Sequence, residues 1–302
     1  MTRCAQYGQA QLFQGHHRLG VLSSHVVGAS SSPPQPRSVQ ELMDLTGHVG
    51  IVTGGGTHLG LAMAATLCEL GATVVLASRR GALCEHEASR LRTEHGFSVH
   101  GASCDVTNEV AVERLVADTV VTHGRLDIMI CNAGGSASTT YPPNASIDEF
   151  TATFDMNVKS TFICSQSAAR AMIAGGRGGK ILTLGSIHGV LAADTRLYEG
   201  LKGFNRSGPN YQAAKGAIVN LTKGLAVEFA QQGITVNCIS PGQIPKLEST
   251  DPRMIERSRM MNPLQTTGMP EDLKGAVALL ASDAGKWITG QNLLVDGGWS
   301  IW

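Results

Sequence analysis

The sequence predicts an α/β chain built on one doubly wound parallel sheet, and three observations predict it. From residue 48 onward, short apolar runs alternate with longer amphipathic stretches. The short runs are apolar on both faces, as strands must be when helices cover a parallel sheet on both sides. No repeat and no interdomain linker interrupts the pattern, so residues 45–302 read as a single domain.

The elements follow in order. HVGIVTG (48–54) is a β-branched run ending in glycine, the first strand. LGLAMAATLCELG (59–71) has helical spacing and stops at a glycine C-cap. ATVVLAS (72–78) is the second strand, and a helix runs through roughly 81–95. FSVHGASCDV (97–106) is the third strand, followed by a helix over 108–124 with Asn108 as its N-cap. LDIMICNAG (126–134) is the fourth strand. A long helix spans about 147–174 and ends in GGRGG, and KILTLGS (180–186) is the fifth strand. A helix over 211–233 leads into ITVNCISPG (234–242), the sixth strand. EDLKGAVALLASD (271–283) is the last helix and QNLLVDGG (291–298) the last strand.

Composition excludes several functions. Net charge is zero and the pI is near 7.1, so no basic field invites nucleic acid or an anionic membrane. No apolar run approaches the ~20 residues of a membrane span. Seven cysteines are scattered without a C-x-x-C, which gives no zinc spacing, no metal site and no disulfide framework. That usage fits a reducing compartment, and the expected location is cytoplasmic. The first 40 residues contain no Asp or Glu, carry Arg3, Arg18 and Arg37, and end in ASSSPPQPRS. Residues 1–44 read as a disordered tail or as an organellar targeting segment.

The chemistry gathers at strand ends. TGGGTHLG (53–60) lies where the first strand becomes the first helix, so Gly54, Gly56, Thr57, His58, Leu59 and Gly60 are candidate pyrophosphate contacts. Asp105 and Val106 follow the third strand, and Asn132, Ala133 and Gly134 close the fourth. GSIHG (185–189) follows the fifth, and Pro241, Gly242 and Ile244 follow the sixth. Every one lies at a strand C-terminus, where doubly wound sheets bind ligands, so one crevice collects them all. At the end of the second strand stand Ser78, Arg79 and Arg80 with no carboxylate. Guanidinium groups suit a 2′-phosphate, which favours NADP over NAD.

Tyr-x-x-x-Lys occurs twice, as Tyr198 with Lys202 and as Tyr211 with Lys215. On a helix either pair would share one face, placing a cation beside a phenol and lowering its pKa. Gly203, Gly208 and Pro209 break any helix that would carry the first pair, whereas GAIVNLTKGLAVEF sustains one after Lys215.

In order, T-G-x-x-x-x-x-G, N-A-G, G-S-x-x-G, Y-x-x-x-K, V-N-x-x-x-P-G and L-x-V-D-G-G resemble the short-chain dehydrogenase/reductase family over about 45–302. The resemblance implies a Rossmann-type domain that binds NAD or NADP, interconverts alcohols and ketones, and assembles as a homo-oligomer, tetramer or dimer. It also implies a catalytic tetrad of Asn157, Ser186, a tyrosine and a lysine. Tyr198 lies 12 residues after Ser186 and Tyr211 lies 25 after, and the family's usual spacing favours the former. Its tyrosine, however, opens a helix leading to V-N-x-x-x-P-G, and Asn237 lies 26 residues after Tyr211 but 39 after Tyr198. Together with the helix breakers, this assigns Tyr211 and Lys215. Tyr211 is then the general acid or base, Lys215 lowers its pKa and holds the nicotinamide ribose, Ser186 binds the substrate oxygen, and Asn157 positions a water.

Residues 190–208 become an insertion over the active-site mouth, with Tyr198 and His188 as candidate substrate contacts beside Ser186 and Tyr211. His58 departs from the family's middle glycine, and Lys246 stands where the family often has threonine. The expected substrate is a small polar hydroxy or keto compound, sugar-acid or polyol-like, similar to those of gluconate 5-dehydrogenase-type members. A 3-oxoacyl-carrier-protein reductase and a catalytically silent dinucleotide-binding regulator remain as alternatives.

Overall fold

The structure, a computed structural model, describes residues 35–201 and 206–302. Expectations for residues 1–34, and for Lys202 of the insertion, lie outside the described residues. Seven strands form one all-parallel sheet: β1 (Val49–Thr53), β2 (Thr73–Ser78), β3 (Val99–Ser103), β4 (Ile128–Cys131), β5 (Gly179–Leu184), β6 (Ile234–Pro241) and β7 (Asn292–Val295). Their order is β3-β2-β1-β4-β5-β6-β7. The order reverses between β1 and β4, which opens a crevice at their carboxyl ends. Residues 37–302 form one compact unit.

Side-chain alternation explains why the strands are apolar throughout. Val52, Ile128, Ile130 and Leu182 enter one core, beneath α2 (His58–Glu69), α3 (Gly81–His95) and α9 (Lys274–Ala281). Their neighbours Ile51, Met129, Cys131 and Ile181 enter the other, beneath α4 (Glu109–His123), α6 (Ser160–Gly175) and α7 (Pro209–Phe229). Successive residues of a strand point to opposite faces, so each strand feeds both cores. Asn108 caps α4 through a bond from Ala111 N at 3.1 Å.

Three elements differ from the sequence reading. The long helix is interrupted: α5 (Ile147–Phe154) passes through a π-turn at Asp155–Lys159 before α6 begins. Such turns accommodate one extra residue and recur at functional sites. A short α1 (Val39–Met43) lies inside the segment read as tail, held by a capping box between Ser38 and Glu41. Beside it Leu45 is buried and donates its N–H to Leu70 O at 2.7 Å. Finally, α8 (Pro252–Met260) starts at a capping Asp251 and an N-terminal proline.

Arg257 of α8 donates to the carbonyls of Leu197 (3.0 Å) and Glu199 (2.7 Å), fixing the start of the insertion. Leu197 is buried there against Ile187 and Trp299. Six described cysteines are buried and unpaired. Among the described residues, no helix is long and apolar enough to cross a membrane.

Candidate active site

The β1–α2 turn is shaped for close approach. Gly54 sits at φ 63°, and a Cβ there would meet Asn132 Nδ2 at 2.7 Å. Asn132 Nδ2 donates to Thr53 O (2.9 Å), while Asn132 N and Ala133 N donate to Thr53 Oγ1 (3.0 and 3.1 Å). The Asn-Ala-Gly segment therefore ties the end of β4 to the glycine turn. Thr57, the N-cap of α2, makes no capping bond with its side chain, which leaves first-turn N–H groups to meet an anion.

A cavity of about 630 Å³ follows the carboxyl edge of the sheet. It is lined by Gly54, Thr57, His58, Leu59, Gly60, Ser78, Arg79, Arg80, Asp105, Val106, Asn132, Ala133, Gly134, Tyr211, Lys215, Pro241 and Gly242. Two residues expected with them sit elsewhere. Gly56 packs against α3, where a Cβ would meet Cys84 Sγ at 3.0 Å. Ile244 faces a second cavity and accepts a bond from His58 Nε2 at 2.9 Å. That carbonyl can only accept, so Nε2 carries the proton. His58 holds φ 48°, the left-handed conformation that the family's glycine would adopt freely. The cavity also takes in Thr107, Met156, Leu184 and Lys246. Met156 had no sequence signal beyond its place beside Asn157, and it is the π-turn that brings it there.

Arg79 and Arg80 are exposed at one end of the cavity. Asp105 is held below the usual carboxylate range by hydrogen bonds from Thr107, with Arg79 adding its charge. A glycine turn and an open helix N-terminus along one crevice fit a dinucleotide, with two guanidinium groups at its end.

Ser186, Tyr211 and Lys215 meet at the other end. Pro209 starts α7, which puts Tyr211 in its first turn and Lys215 one turn later. Lys215 is buried and donates from Nζ to Leu184 O at 2.8 Å. Burial lowers its pKa to about 8. Nζ lies 5.6 Å from the Tyr211 ring centroid. The Tyr211 pKa is raised, contrary to the expected depression by Lys215. Burial dominates and raises it, Ser186 pulls it down, and Tyr198 opposes its ionisation.

Asn157 does not line the cavity. It is fully buried, and its Nδ2 donates to Gly135 O (2.6 Å) and Thr153 O (2.7 Å), while its Oδ1 accepts from Gly135 N (3.2 Å). Its side chain thus fastens the Gly134–Gly135 wall to the π-turn. Tyr198 lines neither cavity and packs beside the Ile187–Leu197–Trp299 cluster. His188 lines the second cavity, of about 270 Å³, which shares Ser186 and Tyr211 with the first. Among the described residues, no group of three or more His, Cys, Asp or Glu could hold a metal ion.

The buried Lys215 sets a pH expectation. Its cation is present below about pH 8 and lost above it, while Tyr211 stays protonated through neutrality. Ketone reduction should hold its kcat/KM near neutral pH and decline above about pH 8. A profile flat to pH 10 would contradict the role given to the charge.

A protein-family profile described as enoyl-(acyl carrier protein) reductase matches residues 56–300. The 3-oxoacyl-[acyl-carrier-protein] reductase of Rickettsia prowazekii (strain Madrid E) is 33% identical over 261 residues, covering 85% of this chain and 98% of that protein. Secoisolariciresinol dehydrogenase of Forsythia intermedia is 34% identical over 271 residues, covering 85% and 90%. Among solved structures, a gluconate 5-dehydrogenase from Burkholderia cenocepacia J2315 in complex with NADP and tartrate superposes with a TM-score of 0.78. It is 30% identical, with 87% of this chain and 99% of that one covered. The chain belongs to the short-chain dehydrogenase/reductase family. It is an oxidoreductase acting on CH–OH groups with NAD(P).

Proposed function

We propose that the chain interconverts a secondary alcohol and a ketone on a polar, sugar-acid or polyol-like substrate, with NADP as cofactor. The observation that carries this reading is the junction of the two cavities. Ser186 and Tyr211 line both, with arginines along the larger and polar side chains in the smaller.

In the reducing direction Tyr211 donates its proton to the carbonyl oxygen, and in the oxidising direction it takes that proton back. Burial keeps the phenol protonated at neutral pH, the state a general acid needs. Ser186 donates a hydrogen bond to the same oxygen as charge develops there. Lys215 supplies a buried cation one helical turn away, offsetting the phenolate left behind. The cofactor, when bound, supplies or accepts the hydride. By family resemblance Lys215 also holds the nicotinamide ribose and Asn157 positions a water in a proton relay. Homo-oligomerisation, which the family implies, is supported by exposed apolar side chains such as Trp287, Ile301 and Trp302. Buried, unpaired cysteines support a cytoplasmic setting.

The cofactor reading is tested at Arg79. A charge-assisted bond of about 1.5–3 kcal/mol corresponds to roughly 10–100-fold in affinity. Arg79→Ala should raise KM for NADPH by that factor and change KM for NADH little. A wild-type enzyme that already prefers NADH would contradict the reading. A second reading, 3-oxoacyl-carrier-protein reductase, is favoured by the names of relatives such as the Rickettsia protein. Assaying sugar acids beside 3-oxoacyl thioesters separates the two by their kcat/KM.

A further inference from the structure

The smaller cavity holds polar groups that proton transfer does not use. His188 is 4% exposed and lines it, and neither ring nitrogen completes a hydrogen bond. The Leu191 backbone lies near enough to favour the protonated ring, although burial pulls more strongly the other way. A buried polar group without a partner is costly, and a ligand hydroxyl is the chemistry that would relieve it.

Arg206 lines the same cavity. Its guanidinium lies over the Tyr141 ring at 4.3 Å from the centroid, and Tyr141 Oη donates to Arg206 O at 3.0 Å. The next turn of chain packs on that ring too, since a Cβ on Gly208 would meet Tyr141 Cε1 at 3.3 Å. One aromatic residue therefore fixes both the backbone and the side chain of Arg206. Two other charges of the insertion engage each other: Asp194 and Arg196 pair at 2.6 Å. Among the described residues, no carboxylate forms an ion pair with Arg206. The remaining segments, residues 1–34 and 202–205, contain no Asp or Glu. A guanidinium stacked on a ring keeps its N–H edge free, and that planar fork matches a carboxylate in bidentate fashion.

We propose that Arg206 anchors a carboxylate of the substrate and His188 pairs with one of its hydroxyls, so that the site prefers hydroxy or keto acids to neutral polyols and ketones. This rests on the sugar-acid reading above and narrows it to anions.

The test compares gluconate with glucitol, which differ only in a carboxylate in place of a hydroxymethyl group. With the full chain and NADP, kcat/KM for gluconate should exceed that for glucitol by at least about tenfold, the scale of one charge-assisted bond. Arg206→Gln should bring the ratio near one by raising KM for gluconate, with kcat and NADP affinity unchanged. Arg206→Lys, which keeps the charge without the fork, should fall between. His188→Leu should weaken both members of the pair alike.

Titration calorimetry with tartrate reads the subsite without turnover, and its affinity should drop about tenfold in Arg206→Gln. Tartrate binding that depends on Arg206 supports the subsite even if no ketone is reduced, in which case the proposed reaction fails alone. Equal affinity for acids and neutral polyols, or no response to Arg206→Gln, overturns the anchor. No response to His188→Leu overturns the hydroxyl contact.

Discussion

Tyr211→Phe should lower kcat by roughly 10²- to 10⁴-fold, the range that one positioned proton donor contributes. The substitution removes only the phenolic oxygen, and the ring keeps its place in the first turn of α7 between the two cavities. Cofactor affinity should therefore change little, as measured by titration of NADPH fluorescence. Tyr198→Phe is the control. Tyr198 packs beside the Leu197 cluster and lines neither cavity, so its variant should keep most of the wild-type turnover. Equal losses from the two variants would refute the assignment of the pair.

Ser186→Ala should cost roughly 10²- to 10³-fold in kcat, the usual scale for removing one donor to a developing oxyanion. Ser186 Oγ accepts from His188 N at 3.1 Å, which leaves its own proton to be donated into the site. A donor engaged mainly in the transition state shows up in kcat rather than KM. Steady-state kinetics across one substrate series separates the two. A rise in KM with kcat unchanged would make Ser186 a ground-state contact only.

Much of this arrangement was legible because it is periodic. Ile51 and Val52, or Met129 and Ile130, enter opposite cores, which is why their strands read as unbroken apolar runs. The helix that carries Tyr211 and Lys215 was also legible, since Gly208 and Pro209 allow a helix to start only after Tyr198. The π-turn was not, because DMNVKS is compatible with an ordinary helix and one extra residue leaves no mark on spacing. Asn157 was placed in the site by the family resemblance, and its side chain bonds Gly135 and Thr153.

Tertiary partners account for the other differences. Gly56 looked like part of the phosphate turn, but the approach it permits is that of Cys84 on α3. His58 reaches Ile244, 186 residues away, a pairing no local pattern encodes. The insertion was read as lying over the active-site mouth, with Tyr198 as a substrate contact. Asp194 and Arg196 satisfy each other, and Arg206 alone of its named, described charges lines the cavity.

The most direct test of the central claim follows the hydride. The full chain would be incubated with NADPH carrying deuterium at the transferable position and a panel of polyhydroxy keto acids and neutral ketones, with products read by mass spectrometry. The account predicts deuterium on the carbinol carbon of at least one polar keto compound, and loss of that label in Tyr211→Phe. NADPH that binds but passes no label to any member of the panel would contradict the proposed alcohol–ketone chemistry and leave a dinucleotide-binding protein without turnover.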